Sequence, residues 1–185
     1  LGVEIRLHNK KLKRTLKTAP LSLTLAASMV PSLIDINKAE QGYLGRNGSP
    51  VLGQAFEMLL ARWAAGERDR ETALRLLFLS WYANCEPPFL TGLPTEQETA
   101  SICSETFAAL GGASSSDPEV CFAVGLMAEL FPWCLGDEAH WVEVGHLLAS
   151  QAVKLQPGGP PLSAFVGRGA YGEYFSHMLS ARAGS

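Results

Sequence analysis

Residues 49–85 read SPVLGQAFEMLLARWAAGERDRETALRLLFLSWYANC. Leu52, Ala55, Phe56, Leu59, Leu60 and Trp63 recur at i, i+3, i+4, i+7, i+8 and i+11, the spacing of one buried helical stripe. Ser49 is positioned to cap that helix with Pro50 at its first position, where a missing N–H costs nothing. Gly66 closes it and Asp69 caps the next, whose stripe is Leu74, Leu77, Phe78, Trp81 and Cys85. Leu76, Leu79 and Ala83 add a second apolar edge to this second helix, which calls for a second surface to cover it. So short a connection predicts an antiparallel helix pair.

The same grammar continues toward the C-terminus. Pro87 and Pro88 stop the second helix, and Thr95 with Glu98 spells a capping box that opens a third, with Ala100, Cys103, Phe107 and Leu110 on its inner face. Asp117-Pro118 starts a fourth, Val120 to Phe131, apolar nearly all round and therefore expected at the centre. A fifth runs from about Glu138 to Leu155 and ends at Pro157-Gly158-Gly159-Pro160; Tyr171, Tyr174, Phe175, Met178 and Leu179 mark a sixth. The expected fold is mainly α, about six helices in antiparallel hairpin-like pairs, as a bundle or a short helical solenoid. Val124-Gly125 on one helix and Ala152, Leu155 and Pro157 closing the next are similar to the small-residue and terminal-proline positions of a tetratricopeptide repeat over about forty residues. No 34-residue period runs through the chain, so the likeness is helix-pair grammar and not membership.

Residues 1–48 have a different character. Val3, Ile5 and Leu7 alternate with charged or polar residues, as do Leu21, Leu23 and Leu25, with the period of two that suits short strands or an extended arm ordered on a partner. Gly42, Gly45, Asn47 and Gly48 mark a loop, so the expected division is an N-terminal arm at 1–48 and a helical domain at 49–185. Arg6, Lys10, Lys11, Lys13, Arg14 and Lys17 stand against Glu4 alone in residues 1–17, a net of +5; nine basic and seventeen acidic groups remain beyond them, a net of −8. These six cations form a candidate contact for an acidic partner, a second copy of the chain among them. Nucleic-acid contact through residues 6–17 is a lesser alternative, because a basic stretch on an acidic body is weak evidence for it. The arm is expected to matter for association and to be dispensable for folding of the helical body.

Composition narrows the class further. The chain has 185 residues, 47% of them apolar and 18% charged, with a net charge of −3, which excludes disorder for most of its length. The most apolar run falls short of the ~20 residues a bilayer span needs and contains Glu129, so no membrane span is expected. Cys85, Cys103, Cys121 and Cys134 form no C-x-x-C pair and are too dilute for a disulfide scaffold. They read as reduced, structural thiols in a reducing intracellular compartment, cytoplasmic, or organellar if the start at Leu1 reflects processing.

Each chemical motif has a plainer structural reading. Gly167-Arg168-Gly169-Ala170-Tyr171-Gly172 spells G-x-G-x-x-G, but a dinucleotide site requires a βαβ unit and an acidic ribose ligand about 20 residues further on. A glycine-rich turn or close helix contact is expected instead, and no cofactor. His140, Glu143 and His146 share an arc of the fifth helix and are weak metal candidates; the same arc carries Ser150 and Lys154, as a solvated face would. Cys134 and His140 are six residues apart across a turn, where a packed cysteine is the expectation over a nucleophile pair.

The loop Pro87–Pro94 holds Phe89, Leu90 and Leu93 between prolines, either folded back as a plug or exposed as a docking patch. With no catalytic motif present, the expected function is a non-catalytic helical protein–protein interaction subunit or adaptor of a larger assembly. The alternative is an all-α enzyme or small-molecule binder with an interhelical pocket lined by Trp81, Tyr82, Tyr174 and His177.

Overall fold

The computed structural model describes residues 30–40 and 52–183. It is mainly helical: among the described residues there are eight α-helices and no strand. They are α1 (Leu33–Ala39), α2 (Leu52–Ala64), α3 (Arg70–Cys85), α4 (Pro88–Thr91), α5 (Glu96–Ala109), α6 (Pro118–Leu130), α7 (Glu138–Leu155) and α8 (Gly169–Ala183). Short 3-10 turns at Gly112–Ser114, Pro132–Cys134 and Leu162–Ala164 connect some of them.

The caps explain where the long helices begin. Asp69 accepts from the Thr72 N–H ahead of α3, the Glu98 carboxylate accepts from the Thr95 N–H ahead of α5, and Asp117 accepts from the Glu119 and Val120 N–H groups ahead of α6. Asp137 accepts from the His140 N–H ahead of α7. Each side chain satisfies backbone donors that the first helical turn leaves unpaired.

Two helices go beyond the expected six. α4 is a single turn that Pro88 opens from its first position, so the proline pair that stops α3 also starts another helix. α1 lies inside the stretch that the sequence assigns to the arm; seven residues, about two turns, carry too little periodicity to be read as a helix. It nonetheless packs on the body, with Ile36 buried, Asn37 Nδ2 donating to the Gly167 carbonyl at 2.8 Å and Glu40 buried just beyond its end. The boundary expected at 48/49, the alternating runs at 3–8 and 21–25 and the basic residues 6–17 all lie outside the described residues.

α3 is at the centre. Every residue from Thr72 to Trp81 is buried, including Leu76 and Leu79, so the second apolar edge of this helix is covered by the fold itself and needs no partner. α5 and α2 pack along it, and α8 closes it through an aromatic cluster in which Phe78 meets Tyr171, Tyr174 and Phe175 at ring separations of 5.4–5.9 Å. α6 and α7 form an antiparallel pair of unusually close approach. A Cβ on Gly145 would lie 2.7 Å from Ala128 Cβ, and one on Gly125 would lie 3.0 Å from the Ala149 backbone nitrogen. Small residues at these crossings let the two backbones come together.

Candidate docking surface

The two ends of α3 differ in chemistry. At its N-terminal end, α6 and the 167–169 loop deliver charges that neutralise one another. Arg70 donates to Asp117 and to Glu119 Oε2 at 2.8 Å, Arg168 forks onto Glu71 and reaches Glu119, and the Tyr171 hydroxyl donates to Glu119 Oε1 at 2.7 Å. Burial alone would raise the Glu119 carboxyl, but hydrogen bonds from Tyr171, Arg70 and Arg168 outweigh it and hold its pKa below the usual value. The Arg70 hydrogen bonds lower Asp117 likewise. Arg168 also lies over the Tyr171 ring, 4.8 Å from its centroid.

The G-x-G-x-x-G segment belongs to this polar end. Gly169 has φ near +59°, and a Cβ there would collide with the Glu40 carboxylate, whose Oε2 accepts from the Ala170 N–H at 2.9 Å. The positive end of α8 is therefore filled by a carboxylate from the same chain, in the place where a nucleotide fold would put phosphate. Glu40 in turn meets Arg75 at 2.6 Å, and Asn37 accepts from Arg75 Nη1 at 2.7 Å.

At its C-terminal end α3 meets apolar surface open to solvent. Phe89 and Leu90 project outward from α4, Phe89 with 76% of its surface exposed, whereas Leu93 is 3% exposed and packs in the core. The three residues of the Pro87–Pro94 loop thus divide: one plugs and two face solvent. The Pro132–Cys134 turn is fastened to the same end, Trp81 Nε1 donating to the Phe131 carbonyl at 3.3 Å and Asn84 Nδ2 to the Cys134 carbonyl at 2.9 Å. It presents Trp133, 53% exposed, with Phe131 beside it at a ring separation of 5.5 Å.

From this turn a groove runs along the α6–α7 pair. One cleft of about 370 Å³ lies between Ala128, Glu129 and Pro132 on one side and Val142, Gly145 and His146 on the other. A second, of about 440 Å³, is lined by Phe122, Leu126, Glu129, Ala152, Val153 and Leu179 of α8, and the two share Glu129 and Ala149. Val142, His146, Ala149 and Val153 follow i, i+4, i+7, i+11 and so make one continuous edge of α7.

The remaining candidates separate. His140, Glu143 and His146 are all exposed on α7, and no group of three His, Cys, Asp or Glu side chains able to hold a metal occurs among the described residues. Cys134 is buried while His140 is exposed, its ring edge-on to Trp141 at 5.8 Å. Trp81, Tyr82 and Tyr174 pack on one another at 5.6–6.3 Å as part of the aromatic core, and burial pushes the Tyr174 phenol up to about 12; His177 is exposed. The two clefts described above lie along α6 and α7. Among the described residues no helix is long and apolar enough to cross a membrane.

The sequence pattern did not single out Trp133, Phe131, Val142 or Val153 as exposed. The signal was the surplus: Val142, Leu147 and Val153 fall off the Trp141–Val144–Leu148–Ala152 stripe. No family model, no curated protein and no solved structure matches this chain.

Proposed function

We propose that this chain is a non-catalytic helical protein–protein interaction subunit that docks through the apolar C-terminal end of α3 and the adjoining α6–α7 groove. One observation carries the reading: Phe89, Leu90, Phe131 and Trp133 stand exposed at one end of the central helix, while the charged side chains at its other end are paired with one another. Large aromatic side chains held in water by a rigid scaffold are the usual anchors of an interface. Trp133 and Phe131 sit on a turn held by two hydrogen bonds to α3, so little ordering is left to oppose binding.

The test is light scattering on the full chain across a concentration series, together with chemical cross-linking and affinity recovery from native extract. The wild-type chain is expected to self-associate or to recover a defined partner. Phe89→Asp and Trp133→Asp are expected to abolish that association and leave the melting temperature within a few degrees of wild type. A chain that stays monomeric and recovers nothing defeats the reading.

A second reading rests on the 440 Å³ cleft, which falls in the range of small-ligand sites and is lined by apolar side chains with Glu129 at its edge. Thermal-shift screening separates the two readings: concentration-dependent stabilisation by a small apolar molecule, lost in Leu126→Trp, supports a ligand-binding protein.

A further inference from the structure

Residues 85 and 134 are far apart in sequence, yet the fold brings their thiols together. The turn that carries Cys134 is pinned to the last turns of α3 by the Asn84 and Trp81 hydrogen bonds. The two thiols are in hydrogen-bonding contact, and Cys85 Sγ also donates to the Trp81 carbonyl at 3.3 Å. Cys85 is half-buried and Cys134 buried. The other two cysteines are placed differently: Cys103 is buried in α5, and Cys121 is buried in α6 with its thiol donating to the Ser115 carbonyl at 3.2 Å.

We propose that Cys85 and Cys134 are an oxidisable dithiol, a covalent modification site that closes to an intramolecular disulfide by exchange with a small-molecule disulfide of the glutathione class. The unequal exposure sets the order of events. Cys85 gives up its proton and its sulfur attacks one sulfur of the oxidant; the oxidant's S–S bond breaks, and the departing small thiolate takes up a proton. Cys134, already in contact, then attacks the Cys85 sulfur and loses its own proton; the mixed disulfide breaks and the second small thiol leaves. Two protein thiols are oxidised to one disulfide, and one small disulfide is reduced to two thiols. The link joins the end of α3 covalently to the turn that presents Phe131 and Trp133. The proposal does not depend on what docks there.

Burial pushes the Cys85 thiol pKa well above its ordinary value, so at neutral pH the reactive thiolate is scarce. Exchange is therefore slow at pH 7 and accelerates about tenfold per pH unit as the thiolate fraction grows.

The experiment treats the folded full-length chain with glutathione disulfide at pH 8, quenches with acid, alkylates the remaining thiols after unfolding and maps peptides without reduction. The expected product links the Cys85 peptide to the Cys134 peptide, with Cys103 and Cys121 recovered alkylated. Cys134→Ser is expected to stop at a stable glutathione adduct on Cys85. The proposal is overturned if the wild-type chain itself accumulates that adduct without the internal link. It is overturned equally if thiols are consumed only after the chain unfolds, or if Cys103 and Cys121 enter the cross-links as often as Cys134.

Discussion

The Glu40 carboxylate and the Arg75 guanidinium meet at 2.6 Å with both side chains 1% exposed. Glu40 follows α1 and Arg75 lies in the middle of α3, and the same carboxylate oxygen also accepts the Ala170 N–H that opens α8. One acidic side chain thereby joins three helices. Removing one partner of such a pair strands the other charge in a low-dielectric interior, which is far more costly than never having had the pair.

Glu40→Gln keeps the shape and the bond to Ala170 but leaves the Arg75 charge without its counter-ion. That change and Arg75→Met are each expected to lower unfolding free energy in urea by about 3–5 kcal/mol. The double variant should lose markedly less than the sum of the two, because it leaves no unpaired charge. Additive losses would show that the two side chains do not act as a pair.

Gly145→Ala tests the close approach of α6 and α7. Alanine improves helix propensity by about 1 kcal/mol, but its Cβ would sit 2.7 Å from Ala128 Cβ. The clash outweighs the gain, for an expected net loss of about 1–2 kcal/mol in chemical denaturation. Adding Ala128→Gly should restore part of it. A Gly145→Ala chain more stable than wild type would mean that the helices are further apart.

Acid should loosen the polar end of α3 first. Glu119 and Asp117 have folded-state pKa values below their ordinary ones of 4.5 and 3.8, so the stabilisation they supply is complete above those ordinary values. It is lost as pH falls through the depressed folded values. The melting temperature is therefore expected to drop as pH falls below about 4.5, and Glu119→Gln should flatten that slope while lowering stability at pH 7.

Leu93 and Phe89, four residues apart in one loop, should respond in opposite ways. Leu93→Ala opens a cavity in the core, for an expected cost of about 2–4 kcal/mol in urea unfolding. Phe89→Ala removes a side chain that stands in water and should stay within about 0.5 kcal/mol of wild type. Equal costs would place Phe89 in the core.

Much of the helical body could be read directly. Asp69, Thr95 with Glu98, Asp117-Pro118 and the span from Glu138 to Leu155 correspond to observed helix starts or limits, because caps and stripes act within a few residues of chain. α1 and α4 could not be read that way. Seven residues and four residues respectively are too short for a period to show.

The candidate surface was legible only in part. Phe89, Leu90 and Leu93 were singled out together, yet nothing local distinguishes them, since each is a large apolar residue near a proline. What separates them is whether a neighbouring helix stands over the position. Trp133 poses the same problem in reverse: composition favours burial, and the hydrogen bonds that hold its turn to α3 leave the ring in water.

By itself, then, the sequence determined the secondary structure of the long helices, because hydrogen-bond capping and 3.6-residue periodicity are local. The buried face followed less closely, since in α5 Ala100 of the expected stripe is exposed while Thr99, Ile102 and Thr106 are buried. Tertiary structure alone decided that α3 is the central helix, that Glu40 reaches Arg75 and the start of α8, that Cys85 meets Cys134, and which apolar residues remain in solvent. Each of these is a contact between different elements of the fold, or the want of one. Such contacts depend on how helix faces are apportioned among neighbours in space, which no single helix's pattern encodes.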